Sequence, residues 1–135
     1  MKIVHAVPYF PPASTFGGVP EAVYLLAHAQ VNQGHEVAII TTDAGLKQTP
    51  QTKLHLEHHS TGPIYATGDI EGMKIAYVRN RFPQLCKPLK VFTPIFDHHD
   101  VNAWLPDRFD ILHLHEVHIP GYWGLTRLAR ACGAN

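Results

Sequence analysis

The opening of the chain changes pattern twice within 42 residues, and that change limits the fold more than any other feature. "KIVHAV" at 2–7 is a short apolar run rich in β-branched residues and reads as a buried strand. "PYFPPASTFGG" follows, a loop stiffened by three prolines and released by two glycines. A helix is then expected from about Pro20 to Gln33. Proline suits its first turn, where the missing N–H would be unpaired in any case, and Gly34 suits its stop. Val19, Ala22, Val23, Leu26, Ala29 and Gln30 trace the side expected to face inward. "EVAIITT" at 36–42 is a second strand. Two strands joined through a helix this closely form a parallel pair.

Residues 43–72 lose the pattern and read as a long variable loop, with "KLHLEH" the one candidate for a short strand. "MKIAYV" at 73–78 is the third strand, and a helix over 94–104 is expected after Thr93-Pro94. "DILHL" at 110–114 is the fourth strand. The last helix, about 121–132, has Leu125, Leu128, Ala129 and Cys132 as its inner stripe and Gly133 as its stop. Strands alternating with helices predict a Rossmann-like, doubly wound, mostly parallel α/β sheet with strand order 3-2-1-4. A chain of 135 residues is long enough to enclose one such core.

Bulk properties narrow the partners. Eleven basic residues balance eleven acidic ones, so no net field favours nucleic acid. No apolar run has the length of a membrane span, and "MKIVHAVPYFPP" is too short and proline-rich for a signal-peptide core. Cys86 and Cys132 form no metal or redox motif and suit a reducing cytoplasm.

In a doubly wound sheet, ligands bind beyond the carboxyl ends of the strands, where the order reverses. That point lies between the first and fourth strands, so "PYFPPASTFGG" and "HLHEVHIPGYWG" face one another there. Gly17 and Gly18 open the first helix and let a ligand approach its free N–H groups, which favour an anion by roughly 0.3–1 kcal/mol at an exposed site. The plain alternative is a flexible helix entry. Asp43 ends the second strand as in dinucleotide-binding folds, but no G-x-G-x-x-G follows the first, so a nicotinamide cofactor is not expected. "HLHEVH" carries His113, His115 and His118 at H-x-H-x-x-H spacing, close to a metal-hydrolase pattern. That pattern needs aspartate where Val117 stands, so no metal is expected at these three. His113, in mid-strand, is expected to be buried and hydrogen-bonded, and His115, at the strand's mouth, to face the cleft.

Together, "PYFPPASTFGGVPEAVYLLAHAQVNQGHEVAIITTDA", "EGMKIAYVRN" and "FDILHLHEVHIPGYWGLTRLARACG" resemble the N-terminal domain of family-4 retaining glycosyltransferases with the GT-B fold. The resemblance covers nearly the whole chain, with 43–70 matching loosely. It implies a nucleotide-sugar donor held between two Rossmann-like domains, a carbohydrate or lipid-linked acceptor, no cofactor, and a cytoplasmic setting with peripheral contact at the inner membrane face. It maps substrate-binding groups to Gly17, Gly18, Val19 and Glu116, and donor-sugar positioning to His115. The family's E-x7-E element and its diphosphate-binding basic residues are not found. The chain therefore reads as a truncated N-terminal domain, 1–135, inactive by itself. A non-catalytic ligand-binding α/β module and a metal-dependent hydrolase built on His113, His115 and His118 are the alternatives.

Two further expectations concern the surface. Between Gly72 and Phe96 stand Lys74, Arg79, Arg81, Lys87 and Lys90 without an acid. They read as a solvated face or, functionally, as a patch for an anionic acceptor or membrane; Arg79, Arg81, Lys87 and Lys90 are the candidates. The fourth strand is expected to leave Ile111, Leu112 and Leu114 on an open edge. Self-association is expected there, or by exchange of the last helix around Pro120-Gly121.

Overall fold

The computed structural model describes residues 1–13, 18–46, 55–89, 92–94, 104–105, 108–116, 119 and 123–134, leaving aside the side chains of Lys87, Trp123, Leu128, Ala131 and Cys132. In chain order the elements are β1 (Lys2–Ala6), α1 (Val19–Asn32), β2 (Glu36–Thr42), β3 (Leu56–His58), β4 (Ile64–Ile70), β5 (Met73–Val78), α2 (Pro83–Leu89), β6 (Ile111–Leu114) and α3 (Trp123–Cys132). The strands form one six-stranded sheet in the order β3-β4-β5-β2-β1-β6.

The four expected strands make the parallel part of the sheet, β5-β2-β1-β6, in the expected order. β1 lies between two partners, with Ile3 opposite Val37 on one side and Ile111 on the other. Both faces of β2 are covered, so Val37 to Thr42 are buried throughout and the run does not alternate. Side chains of successive residues go to opposite faces. Val4, Ala6, Ala38, Ile40 and Val78 meet Leu125 and Ala129 of α3 on one face. Val7, Val37, Ile39, Ile75 and Tyr77 meet Val23 and Ala27 of α1 on the other.

Three expectations need correction. The four-strand order is incomplete, because residues 43–72 are not one long loop: β3, which falls within the short-strand candidate "KLHLEH", and β4, which was not expected, add two antiparallel strands outside β5. Ile70 pairs with Met73 across Glu71 and Gly72, whose φ values of 50° and 83° suit a two-residue hairpin. The inner face of α1 is displaced by one residue. Pro20, Val23 and Ala27 are buried, whereas Ala22, Leu26 and Ala29 are exposed. Val23 and Ala27 pack into the core beneath the sheet face, and beside them the Tyr24 hydroxyl donates to Glu71 Oε2 of the hairpin at 2.6 Å. Finally, α2 occupies residues the sequence left unassigned, while 95–103 of the expected 94–104 helix lie outside the described residues. Pro94 itself bridges Asn80.

The stop of α1 is as expected. Gly34 has φ 84°, its N–H donates to Val31, and the His35 N–H donates to Gln30, closing the last turn.

Candidate functional site

Helix α1 covers one face of the sheet and α3 the other, so the winding direction reverses between β1 and β6. Pairing of these strands runs one residue past β6, with the His115 N–H donating to the Ala6 carbonyl at 2.8 Å. The chain then turns at Glu116, which has φ 63°. A left-handed conformation is uncommon for a residue with a side chain and costs about 1–3 kcal/mol. The loop after β1 is anchored at its root. Pro8 O accepts from Thr42 Oγ1, Pro11 O accepts from Tyr77 Oη, and Val7, Pro8, Tyr9 and Phe10 are buried. Tyr9 Oη donates to Glu116 Oε1 at 3.3 Å, joining the two loops across the reversal point. Burial, then the charge of Glu116 and the hydrogen bond to it, hold the Tyr9 hydroxyl above its ordinary pKa.

Gly18 caps α1 with φ −82°, and no side chain caps the helix. A Cβ built at Gly18 meets nothing within 4 Å. Val19, the first helical residue, is 39% exposed. Among the described residues, nothing fills the space beside the helix mouth at Gly18. Gly17 lies outside the described residues.

Three imidazoles converge on β1 and β6, against Gln30 in the C-terminal half of α1. The register places His5 opposite His113, and His115 follows two residues later on the same face. His5, fully buried, lies with its Nε2 2.7 Å from Gln30 Oε1 on α1 and its Nδ1 3.0 Å from His115 Nε2. An amide oxygen only accepts, so His5 Nε2 carries the proton and its Nδ1 is bare. His115 Nε2–H then donates to it, which leaves His115 Nδ1 as an acceptor. Burial is the main cause holding both rings neutral. The His5 pKa is lowered by it, partly offset by Gln30 and reinforced by His113. The His115 pKa is pushed down to about 4 by burial, then by His113 and His5. Ring centroids are 5.2 Å apart for His5–His113, 5.3 Å for His5–His115 and 4.1 Å for His113–His115. One ring nitrogen from each lies within 4.8 Å of the others.

His113 is exposed, not buried as expected, because β6 is an edge strand and α1 reaches only as far as His5. His115 is half-buried. The expected set of His113, His115 and His118 is not the one described: His5 joins the first two, and His118 lies outside the described residues. The missed signal was a shared step. "KIVHA" and "DILHL" place histidine at the same position of two strands that pair in register.

The basic candidates separate. Arg79 is held by carbonyls, its Nε donating to Gly62 O at 2.9 Å and its Nη2 to His59 O, with the guanidinium 5.0 Å from the Tyr65 ring. Lys74 pairs with Glu36 at 3.4 Å. Arg81 is exposed. The Lys87 side chain and Lys90 lie outside the described residues. A concave pocket of about 450 Å³ is lined by none of His5, His113 and His115 but by His59, Thr61, Gly62, Ile64, Thr67 and Trp104 among others. No described helix is long and apolar enough to cross a membrane.

With the site in view, comparison with known proteins gives the fold a precedent. No family model matches the chain, and no curated protein matches it by sequence. Among solved structures it is similar to the catalytic domain of starch synthase IV from Arabidopsis thaliana bound to ADP and acarbose. The TM-score is 0.57 at 17% identity, over 98% of this chain. The likeness is one of fold. The likeness spans 32% of the starch synthase chain.

Proposed function

We propose that this chain is the acceptor-side part of a glycosyltransferase that moves a sugar from a nucleotide-sugar donor to a carbohydrate or lipid-linked acceptor, retaining anomeric configuration. The observation that carries the reading is the meeting of the two family-like stretches at one crevice, joined by Tyr9 and Glu116 and by Ala6 and His115. The glycosyltransferase-like fold supports it. So do the positioning groups that the described residues bring to the crevice.

In this reading the helix mouth at Gly17, Gly18 and Val19 receives the charged or polar end of a substrate. Its N–H groups stabilise negative charge without reorganising. His115 Nδ1 accepts from a hydroxyl of the donor sugar, and the relay from Gln30 through His5 fixes the ring that does so. Glu116, held by Tyr9, orients a second hydroxyl. Of the basic candidates Arg79, Arg81, Lys87 and Lys90, exposed Arg81, just past the carboxyl end of β5, is the one offered to an anionic acceptor. The transfer needs no cofactor, and the proposed setting is cytoplasmic, with peripheral contact at the inner face of the membrane.

The test is release of nucleoside diphosphate from a panel of sugar nucleotides by the natural gene product that carries this sequence. Turnover is expected with one donor, and none from residues 1–135 alone. Tight ligand binding without turnover would identify a binding module instead. No turnover with any donor, with or without acceptor, would overturn the reading.

A further inference from the structure

The three imidazoles have a use that sugar transfer does not call on. We propose that His5, His113 and His115 bind one divalent transition-metal ion, with zinc as the best fit. An all-imidazole set suits zinc, copper or nickel, while magnesium and calcium take oxygen ligands. Two of the ligands are already close to position. Tetrahedral zinc with Zn–N bonds of about 2.0–2.1 Å sets its nitrogens roughly 3.3 Å apart, and His5 Nδ1 lies 3.0 Å from His115 Nε2. The third nitrogen is within 4.8 Å of both, and His113 is exposed, so rotation of its side chain closes the rest.

The surroundings are those of a prepared site. His5 and His113 stand opposite each other on paired strands, so their spacing is set by the sheet and not by a loop. His5 gives its other ring N–H to Gln30 Oε1, the arrangement that fixes tautomer and orientation in metal-bound histidines. His5 is fully buried while His113 is exposed, so the fourth position opens to solvent at the sheet edge.

Metal binding also acts on His115. With Nε2 taken by the ion, its proton moves to Nδ1, and the nitrogen facing the cleft changes from acceptor to donor. This coupling rests on the proposed function; the metal site does not.

The site is testable without any activity. Purified chain is stripped with a chelator and titrated with cobalt(II), read by the intense visible bands of four-coordinate cobalt, and with zinc by calorimetry. One equivalent is expected for each. His113→Ala alters an exposed side chain, so the fold should persist by circular dichroism while stoichiometric binding is lost. Gln30→Ala is expected to weaken binding by about 10–100-fold. A His58→Ala, His59→Ala double variant is expected to bind like the parent. Absence of saturable one-to-one binding, binding unchanged in His113→Ala, or binding lost in the double variant would each overturn the proposal.

Discussion

At the level of single residues, the candidate site is a set of small positioning devices whose removal has separable effects. Gly18 has a negative φ and open space where a Cβ would go, so Gly18→Val leaves the fold intact. Its stability cost at a helix cap is expected to be about 1 kcal/mol or less. The same branched side chain fills the helix mouth, so turnover of the natural gene product is expected to fall sharply; unchanged kinetics would reduce the glycine to a turn residue. If His115 positions the donor sugar as proposed, His115→Ala removes one hydrogen bond to substrate, an expected loss of about 1–3 kcal/mol, or roughly 5–150-fold in kcat/KM. Glu116→Gly separates backbone from side chain at one position. Glycine accepts φ 63° readily, so the melting temperature should hold or rise, while activity falls with the lost carboxylate. A drop in both would make Glu116 a structural tie to Tyr9 and nothing more.

Among the elements, the β4–β5 hairpin and α2 were hardest to read from sequence, for identifiable reasons. Gly68 interrupts β4, and its seven residues include one fully buried position, so no clean alternation marks it. Pro88 lies inside α2, where a proline argues against helix. The inner parallel strands are legible because burial on both faces makes them nearly continuous apolar runs. The hairpin turn makes its own prediction. Gly72 has φ 83° and would bring a Cβ to 3.1 Å from Val31 Cγ1. Gly72→Ala should therefore destabilise by about 1–3 kcal/mol in a denaturant melt. Alkaline pH tests β5 and α2 together. Burial raises the pKa of Tyr77, and burial followed by the charge of Asp43 raises that of Cys86. Above the ordinary thiol and phenol pKa values of about 8.5 and 10, the unfolded chain releases protons that the folded chain keeps. Stability is thus full below that range and falls as pH rises through it. Melting temperature should decline from pH 8 to about 11, less steeply for Tyr77→Phe at the upper end. That variant starts lower at neutral pH, since it loses the bond to Pro11 O, worth about 0.5–1.5 kcal/mol. A flat profile would mean both groups ionise as if solvated.

For the whole molecule, the reversal point between β1 and β6 follows from strand order alone, so the place of the site was legible. Its contents were legible only in part. His115 and Glu116 were named as candidates through their neighbours in sequence, whereas His5 and Gln30 join them only through register and helix phase. β6 also ends the sheet, pairing only with β1 among the described strands, with Ile111, Leu112 and Leu114 half-buried along it. Concentration-dependent association is expected by light scattering, and Ile111→Lys should suppress it by placing a charge on the edge. A parent chain that stays monomeric at high concentration would show the edge to be inert. The central claim is that nucleotide sugars bind at the reversal point, and a nitrogen-15 amide titration of the natural gene product that carries this sequence, with the donor that turns over, tests it most directly. Shifts are expected at Gly18, His115 and Glu116. Shifts gathered instead at His59, Thr61 and Thr67, around the pocket beside Trp104, would contradict it.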